Sequence, residues 1–236
     1  YYIDHKKDGK WTEWDENGQI TSEGNYKDDS EDGNWTEWDE NGQIKSEGNY
    51  TEGNLASETK YSYYKNGQKK EEVNWKGDKK EGKLTSWFEN GQKRQERNYN
   101  HDKTDGKFFK WDENGQIRLE GNYTEGNLAS ETQYSYYENG QKKEVKSSKD
   151  DGKRWPYVYQ LINDGKFTRW YKNGQKKLEI NFINGKRNGK YTSWFKNGQK
   201  ELESNWKDGK EDGKWTHWYD DGSKSERNYK DGVLLK

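Results

Sequence analysis

The tripeptide Asn-Gly-Gln occurs eight times in this chain, and a ninth copy has the form Asp221-Gly222-Ser223. The copies begin at residues 17, 41, 66, 90, 114, 139, 173, 197 and 221, so neighbours are 24 or 25 residues apart except for one interval of 34. A fixed period in this range indicates a tandem-repeat protein. Such arrays usually provide extended binding surfaces and less often active sites.

Each repeat reads as a β-hairpin. In the first repeat, residues 9–26, runs rich in Thr and aromatic residues flank Asn17-Gly18. Asn-Gly between two such runs predicts a tight hairpin turn, because both residues tolerate positive φ. Asp-Gly turns then connect successive hairpins. The chain is therefore predicted to be all-β: an elongated, twisted antiparallel sheet of tandem hairpins of about 24 residues, paired side by side because one hairpin alone is marginal.

Aromatic residues recur at fixed places. The third residue before each turn Asn (or Asp221) is aromatic: Trp14, Trp38, Tyr63, Trp87, Trp111, Tyr136, Trp170, Trp194 and Trp218. A tail of the form Glu-x-Asn-aromatic follows the turn in eight of the nine repeats. Strand alternation puts the Glu and Asn on one face and the final ring on the other, where rings of successive hairpins would form a ladder. These residues are interpreted as holding the repeats together, in preference to a row of metal or sugar sites.

The composition permits only a thin core. Hydrophobic residues make up 25% of the chain and charged residues 37%, which by themselves would suggest disorder. The aromatic content of 16%, placed at fixed offsets, argues instead for a folded repeat. Residues 1–58 carry a net charge of −11 and the remainder +10. Solvated strand faces are the favoured explanation, and different partners for the two ends are the alternative.

The repeat pattern resembles the variant MORN repeat of bacteria. Residues 165–182, with Gly165-Lys166, Trp170-Tyr171, Asn173-Gly174-Gln175 and Glu179-x-Asn181-Phe182, carry the clearest copy. The resemblance implies arrays of hairpins. It also implies roles in protein association and sometimes membrane attachment, and many relatives are labelled YwqK-type antitoxins while others are surface or secreted proteins.

Two segments depart from the pattern. Residues 50–64 return almost unchanged at 123–137, which indicates block duplication. Residues 149–165 separate six repeats (1–148) from three (166–236) and contain the only proline, Pro156. This junction is either an extra strand or bulge, or a binding patch formed by Trp155, Tyr157 and Tyr159.

Catalytic chemistry is not indicated. The chain has no cysteine, and His5, His101 and His217 lie in different repeats without metal-ligand spacing, so no metal or cofactor is expected. No segment has the length of an apolar membrane span, and interleaved acidic residues disfavour nucleic acid.

The prediction is a non-catalytic scaffold that binds a protein partner. It is placed at the bacterial surface or in the secreted space, because the chain begins at Tyr1 in the manner of a processed or truncated protein. A cytoplasmic antitoxin that masks a toxin, and a cell-wall carbohydrate or lipid-binding module, are the alternatives. The exposed sheet edges at the two ends would also permit end-to-end self-association.

Overall fold

The computed structural model describes residues 2–151 and 161–236, which form strands, turns and bends and contain no helix. The chain divides into two compact units. Unit 1 comprises residues up to Gln116 together with Thr124–Asn127, and unit 2 comprises Ile117–Tyr123 and Leu128–Lys236. In the described part of the chain, nothing qualifies as a helix long and apolar enough to cross a membrane.

The strands of unit 1 pair antiparallel with their neighbours in sequence, and β1 and β2 form a separate small sheet. The strands are β1 (Tyr2–Ile3), β2 (Lys6–Lys7), β3 (Gly9–Trp14), β4 (Ile20–Lys27), β5 (Ser30–Glu31), β6 (Gly33–Trp38), β7 (Ile44–Thr51), β8 (Asn54–Tyr63), β9 (Lys69–Lys76), β10 (Lys79–Trp87), β11 (Lys93–Asn100) and β12 (Lys103–Trp111).

Unit 2 repeats this arrangement, and its strands also pair antiparallel in sequence order. They are β13 (Ile117–Thr124), β14 (Asn127–Tyr136), β15 (Lys142–Asp150), β16 (Leu161–Trp170), β17 (Lys176–Ile183), β18 (Lys186–Trp194), β19 (Lys200–Lys207), β20 (Lys210–Glu211), β21 (Gly213–Trp218), β22 (Lys224–Lys230) and β23 (Val233–Leu234). The predicted fold class, an all-β antiparallel structure of tandem hairpin repeats, is confirmed.

The turn at each Asn-Gly differs from the predicted one. In the fourth repeat the amide of Gly91 donates to the carbonyl oxygen of Phe88 (2.9 Å), and the amide of Phe88 donates to that of Gln92 (2.8 Å). In all nine turns the glycine has a positive φ, 82° at Gly91, and the preceding residue does not. Asn90 is therefore the last central residue of a β-turn that a left-handed glycine completes, and not the first residue of a two-residue loop.

Positive φ at two successive residues occurs instead in the second type of turn. Asn184 and Gly185 have φ values of 50° and 78°, and Asp208 and Gly209 have 51° and 86°. Two central residues with positive φ are the signature of a type I′ hairpin, whose twist matches that of its strands. The Asp-Gly and Asn-Gly pairs that connect successive repeats, which the sequence analysis treated as connections only, are therefore the two-residue type I′ turns.

Both kinds of turn hydrogen-bond to an adjacent repeat. The Asn66 Nδ2 atom donates to the carbonyl oxygen of Glu89 (3.0 Å). The Tyr64 hydroxyl donates to that of Trp87 (2.8 Å). At the opposite ends of the strands, the amide of Gly53 donates to the carbonyl of Glu31 (2.9 Å). Asn66 and its equivalents Asn90, Asn139 and Asn173 therefore join neighbouring repeats.

The core is thin. The buried apolar side chains are Trp35, Val73, Leu84 and Phe108 in unit 1 and Ile180 in unit 2. Small polar side chains supply much of the remaining buried volume: Ser46, Thr85, Ser86, Ser148, Thr168, Thr192, Ser193, Ser204 and Thr216. The Ser193 hydroxyl, for example, donates to the Glu201 carboxylate on the neighbouring strand (2.9 Å).

Candidate binding surface

The strand register sorts the side chains of each hairpin onto two faces. In the first hairpin Trp11 pairs with Gly24, and Thr12 pairs with Glu23. Because alternate residues of a strand point to opposite faces, Trp11 shares one face with Tyr26, and Thr12 shares the other with Glu23. We call the side that carries Trp11 and Tyr26 the ring face, and the side that carries Thr12 and Glu23 the clamp face. The same names are used for the equivalent positions of every repeat.

The ring face of unit 1 carries a continuous series of aromatic contacts. Ring centroids lie 6.0 Å apart for Tyr2–Trp11, 5.8 Å for Trp11–Tyr26, 5.1 Å for Tyr26–Trp35 and 6.4 Å for Trp35–Tyr50. All four pairs are edge-to-face, the geometry that ring quadrupoles favour. The predicted ring ladder therefore exists here, and Trp35, its fourth ring, is only 8% exposed.

A glycine makes room for Trp35. A Cβ atom at Gly24 would lie 2.1 Å from the Trp35 ring. The Trp35 Nε1 atom also donates to the carbonyl oxygen of Asn25 (3.1 Å). A glycine inside a strand marks a close approach of this kind, and here it fixes the position of the indole.

The chain places its own cations against these rings. The Lys7 Nζ atom lies 4.2 Å from the Trp11 ring centroid and 4.6 Å from that of Tyr26. Lys80 lies 5.6 Å from the Trp75 centroid. Both lysines are two residues before the glycine that opens a repeat, in Lys7-Asp-Gly and Lys80-Glu-Gly. These distances are typical of cation–π contacts.

In unit 2 the same sequence position is occupied by an arginine. Arg187, in Arg187-Asn-Gly, has its guanidinium carbon 4.7 Å from the Trp206 ring centroid. It pairs across the turn with Phe182, just as Lys80 pairs with Trp75. We call this position, two residues before the opening glycine, the cation position.

The second repeat reverses the charge at the cation position. Glu31, in Glu31-Asp-Gly, pairs across the turn with Tyr26 and lies beside the Trp35–Tyr50 ring pair. A cavity of about 350 Å³ opens there on the ring face. Its acidic and aromatic lining comprises Glu13, Glu31, Glu37, Glu58, Tyr26, Trp35, Trp38 and Tyr50. We call it the ring-face cavity.

Burial and the carboxylates of this cavity raise the pKa of one phenol, that of Tyr50. Burial raises the pKa of Tyr50, and the nearby charges of Glu31, Glu58 and Glu37 raise it further. Two of the carboxylates have lysine partners, Glu37 with Lys45 (3.0 Å) and Glu58 with Lys60 (3.1 Å). Glu31 has no ion pair within the described residues, so a negative charge is left beside two rings.

The clamp face of the last three repeats is, by contrast, internally neutralised. The Glu203 carboxylate lies 2.6 Å from the Lys200 Nζ atom and 2.9 Å from that of Lys190. The hydrogen bond from Lys200 is the main reason that the pKa of Glu203 lies below its ordinary value, with Lys190 contributing. Lys200 also lies 5.6 Å from the Trp218 ring centroid in the next repeat. The same two-lysine arrangement, which we call the lysine clamp, surrounds Glu179 and Glu226 in these repeats and Glu96 in unit 1.

The nine predicted repeat aromatics lie at the ends of strands on the clamp face. Trp14 is 59% exposed, and the other eight are half-buried: Trp38, Tyr63, Trp87, Trp111, Tyr136, Trp170, Trp194 and Trp218. Cations of the preceding repeat lie within 6 Å of several of these rings, including Lys69 on Trp87 and Lys176 on Trp194. These rings therefore do not make up a buried core, and several of them form cation–π contacts with lysine.

A second cavity, of about 620 Å³, lies in the second and third repeats. Its lining includes the hydroxyl and amide side chains of Asn34, Thr36, Asn49, Thr59 and Asn74. Nearby, the Tyr61 hydroxyl donates to the Glu47 carboxylate (2.5 Å) in place of a lysine clamp. We call it the amide cavity.

The predicted binding residues Trp155, Tyr157 and Tyr159 lie outside the described residues. The three histidines are separated: His5 and His101 are exposed in turns, and His217 lies edge-on to Tyr219 at 4.3 Å. Within residues 2–151 and 161–236, no three His, Cys, Asp or Glu side chains form a potential metal site.

Sequence reasoning missed the ring-face cavity. It identified the tail rings, of which Tyr26 and Tyr50 are two, but assigned neither Trp35 nor Glu31 to a binding surface. A signal was present, because the cation position is Lys7, Lys80 or Arg187 in some repeats and Glu31 in another. A difference in charge at equivalent positions of two repeats marks surfaces that differ locally.

Comparison with solved structures gave distant likenesses. A TcdB2–TccC3–TEV crystal structure has 14% identity and a TM-score of 0.29, over 94% of this chain and 13% of that one. A Tc holotoxin pore from Photorhabdus luminescens has 14% identity and a TM-score of 0.28, over 94% and 13%. A Bacteroides fragilis protein of unknown function has 12% identity and a TM-score of 0.19, over 71% and 96%. This chain thus spans a small part of the toxin chains, and with TM-scores this low the likenesses support no conclusion. Comparison with curated proteins gave no match.

Comparison with protein families gave a match that covers more than half of the chain. Seven segments match the MORN repeat variant: 7–28, 31–52, 59–76, 80–101, 104–125, 163–184 and 187–208. Each matched segment is built from the strands and turns described above, and the resemblance recognised in the sequence is confirmed. The chain belongs to the MORN repeat variant family.

Proposed function

We propose that this protein is a non-catalytic scaffold that binds a partner protein through the ring face of its first repeats, at the bacterial surface or in the secreted space. Its family membership supports a repeat-based binding module. The observation that carries the proposal is the ring-face cavity, where aromatic rings and an unpaired carboxylate meet in a part of the chain with net charge −11. Aromatic anchors with charged neighbours are the usual centres of protein interfaces.

A capture experiment tests this proposal. The full chain is immobilised, and bound proteins are identified from a surface extract and a cytosolic extract of the source organism. The same is done with Tyr50→Ala, which removes a ring of the cavity, and with Trp14→Ala, whose ring is exposed on the clamp face. A surface or secreted protein that binds the native chain and Trp14→Ala, but not Tyr50→Ala, is the expected result.

Other results would overturn specific parts of the proposal. A single stoichiometric partner from the cytosol would favour the antitoxin alternative. Equal capture by Tyr50→Ala and the native chain would remove the ring face from the interface. Capture of no protein by the folded native chain would contradict a protein-binding role.

A second candidate function is saccharide binding in the amide cavity. Amide and hydroxyl groups such as those of Asn34, Asn49 and Asn74 suit the hydroxyls of a sugar, and the cavity volume is in the range of small-molecule sites. Binding to a cell-wall glycan that Asn49→Ala weakens and Tyr50→Ala preserves would support it. Equal binding by the native chain and Asn49→Ala would exclude this cavity.

A further inference from the structure

The cation position shows what the ring face accommodates. Three repeats fill it from their own sequence: Lys7 lies over Trp11 and Tyr26, Lys80 over Trp75, and Arg187 over Trp206. The ring face of this repeat type therefore accommodates an ammonium or guanidinium group above its rings, and three copies supply that group themselves. The attraction comes from the ring quadrupole and strengthens as water is excluded.

The second repeat keeps the rings and lacks this cation. The edge-to-face pair Trp35–Tyr50 has a centroid separation of 6.4 Å, close to the 5.8 Å of Trp11–Tyr26 below Lys7. Glu31 replaces the cation, and the ring-face cavity of about 350 Å³ adjoins it. A positive group entering this cavity would meet a carboxylate as well as two rings.

The surrounding charge favours a polypeptide with several cations. Glu13, Glu31, Glu37 and Glu58 line the same cavity, whereas Lys45 is its only basic lining residue. Glu211 holds the cation position beside Trp206 in unit 2, but residues 59–236 carry a net charge of +10, which disfavours a basic partner there. Charge complementarity therefore selects the second repeat.

We propose that the ring-face cavity binds a lysine or arginine side chain of a basic, extended segment of the partner protein, with its cation against Trp35 and Tyr50 and paired with Glu31. This inference rests on the proposed protein-binding function and adds the chemistry of the partner. In an extended segment, side chains two residues apart point the same way, so neighbouring cations reach the other carboxylates of the cavity. Binding weakens with salt, because the site is open to solvent.

Glu31→Lys is the decisive variant. It restores the residue type found at Lys7 and Lys80, so the fold tolerates it and the new lysine fills the site from within. Its control is Glu40→Lys, which makes the same charge change at an exposed turn position already occupied by lysine at Lys65, Lys172 and Lys196. The two variants separate the local site from the overall charge.

The probe is a synthetic peptide of alternating lysine and serine, titrated into the full chain and followed by calorimetry and tryptophan fluorescence. We expect Glu31→Lys to lower the affinity by at least about tenfold. Glu40→Lys should lower it by no more than about twofold. The same peptide with acetylated lysines should not bind, because acetylation removes the charge.

Four results would overturn the inference: no binding by the native chain, equal loss in the two variants, equal binding of the acetylated peptide, or binding of tetramethylammonium as tight as that of the peptide. The last would indicate a small-cation site. None of them bears on the capture experiment, in which a non-basic partner would leave the proposed function intact.

Discussion

The first two repeats (7–52) and the repeats at 163–208 have the same strand register and different surfaces. After the Asn-Gly-Gln turn, the former have Ile20 and Ile44 where the latter have Lys176 and Lys200. In the later repeats, therefore, two lysines surround each tail glutamate. The first two repeats differ in this respect, and on their ring face the glutamates that line the cavity outnumber the lysines. Turns and interior contacts set the backbone, and a few exchangeable surface positions decide whether a repeat neutralises itself or presents charge to a partner.

The largest expected effect concerns the interior of the two regions. Gly24 and Ser204 occupy the same strand position, two residues before the tail ring. Gly24→Ala places a Cβ 2.1 Å from the Trp35 ring, so overpacking should destabilise the first two repeats by about 3 kcal/mol. Ser204→Ala loses only the hydrogen bond from Trp206 Nε1, about 1 kcal/mol.

Amide hydrogen exchange in β4 and β6, and in β19 and β21 for the control, measures both changes locally. This readout is needed because repeats couple mainly to their neighbours, so global melting would average over the array. If the two alanine variants lose equal stability, Trp35 is free to move and the glycine is not a packing requirement.

A smaller effect distinguishes the turns. The Asn173 side chain donates to the carbonyl of Lys196 (2.8 Å) and accepts from the amide of Gln175 (3.2 Å), so Asn173→Ala should cost about 1 kcal/mol. In the first repeat, Asp15 instead accepts from the amides of Asn17 (2.8 Å) and Gln19 (2.9 Å). Asn17→Ala should therefore cost only a few tenths, roughly 0.3 kcal/mol.

Hydrogen exchange of the glycine amide in each turn, Gly174 or Gly18, reports the difference. Asp15→Ala serves as the positive control in the first repeat, since it removes the acceptor for both amides. A large cost for Asn17→Ala together with a small one for Asp15→Ala would reverse the assigned roles of these two side chains.

These turns show how much of the fold the sequence could predict. The period, the hairpins and the alternation of faces follow from local patterns, and all were correctly derived. The type of turn at Asn90-Gly91 was wrong, because a dipeptide does not show whether Asn is the first or last central residue of its turn. The backbone settles it: Gly91 has a positive φ, Asn90 does not, and the Gly91 amide closes the turn on Phe88.

The candidate site was harder to predict for a physical reason. Trp111 and Trp170 occupy the most regular position of the motif, yet they are only half-buried on the clamp face. Burial depends on what a neighbouring repeat places opposite each ring, and for Trp35 that is Gly24. Such pairings join residues in different repeats, and a single repeat read alone does not contain them.

The smallest expected effect concerns the lysine clamp and its pH dependence. Lys200 holds the pKa of Glu203 below its ordinary value of 4.5. A lowered folded pKa stabilises the protein above the unfolded pKa, and this stability is lost as the pH falls from about 4.5 through the folded value. Because both side chains are partly exposed, Lys200→Ile should cost no more than about 1 kcal/mol at neutral pH.

The reciprocal variant makes the comparison complete. Ile20→Lys would add a second lysine beside Glu23, which already pairs with Lys10 (2.8 Å). Hydrogen exchange of β19 and β4 between neutral and acid pH should show less acid sensitivity in Lys200→Ile and more in Ile20→Lys. If the clamp is interchangeable between the two regions, the changes will be opposite in sign and similar in size. Unchanged pH profiles in both variants would mean that the lysines contribute to surface charge without stabilising the repeat, and the difference between the regions would then be one of binding alone.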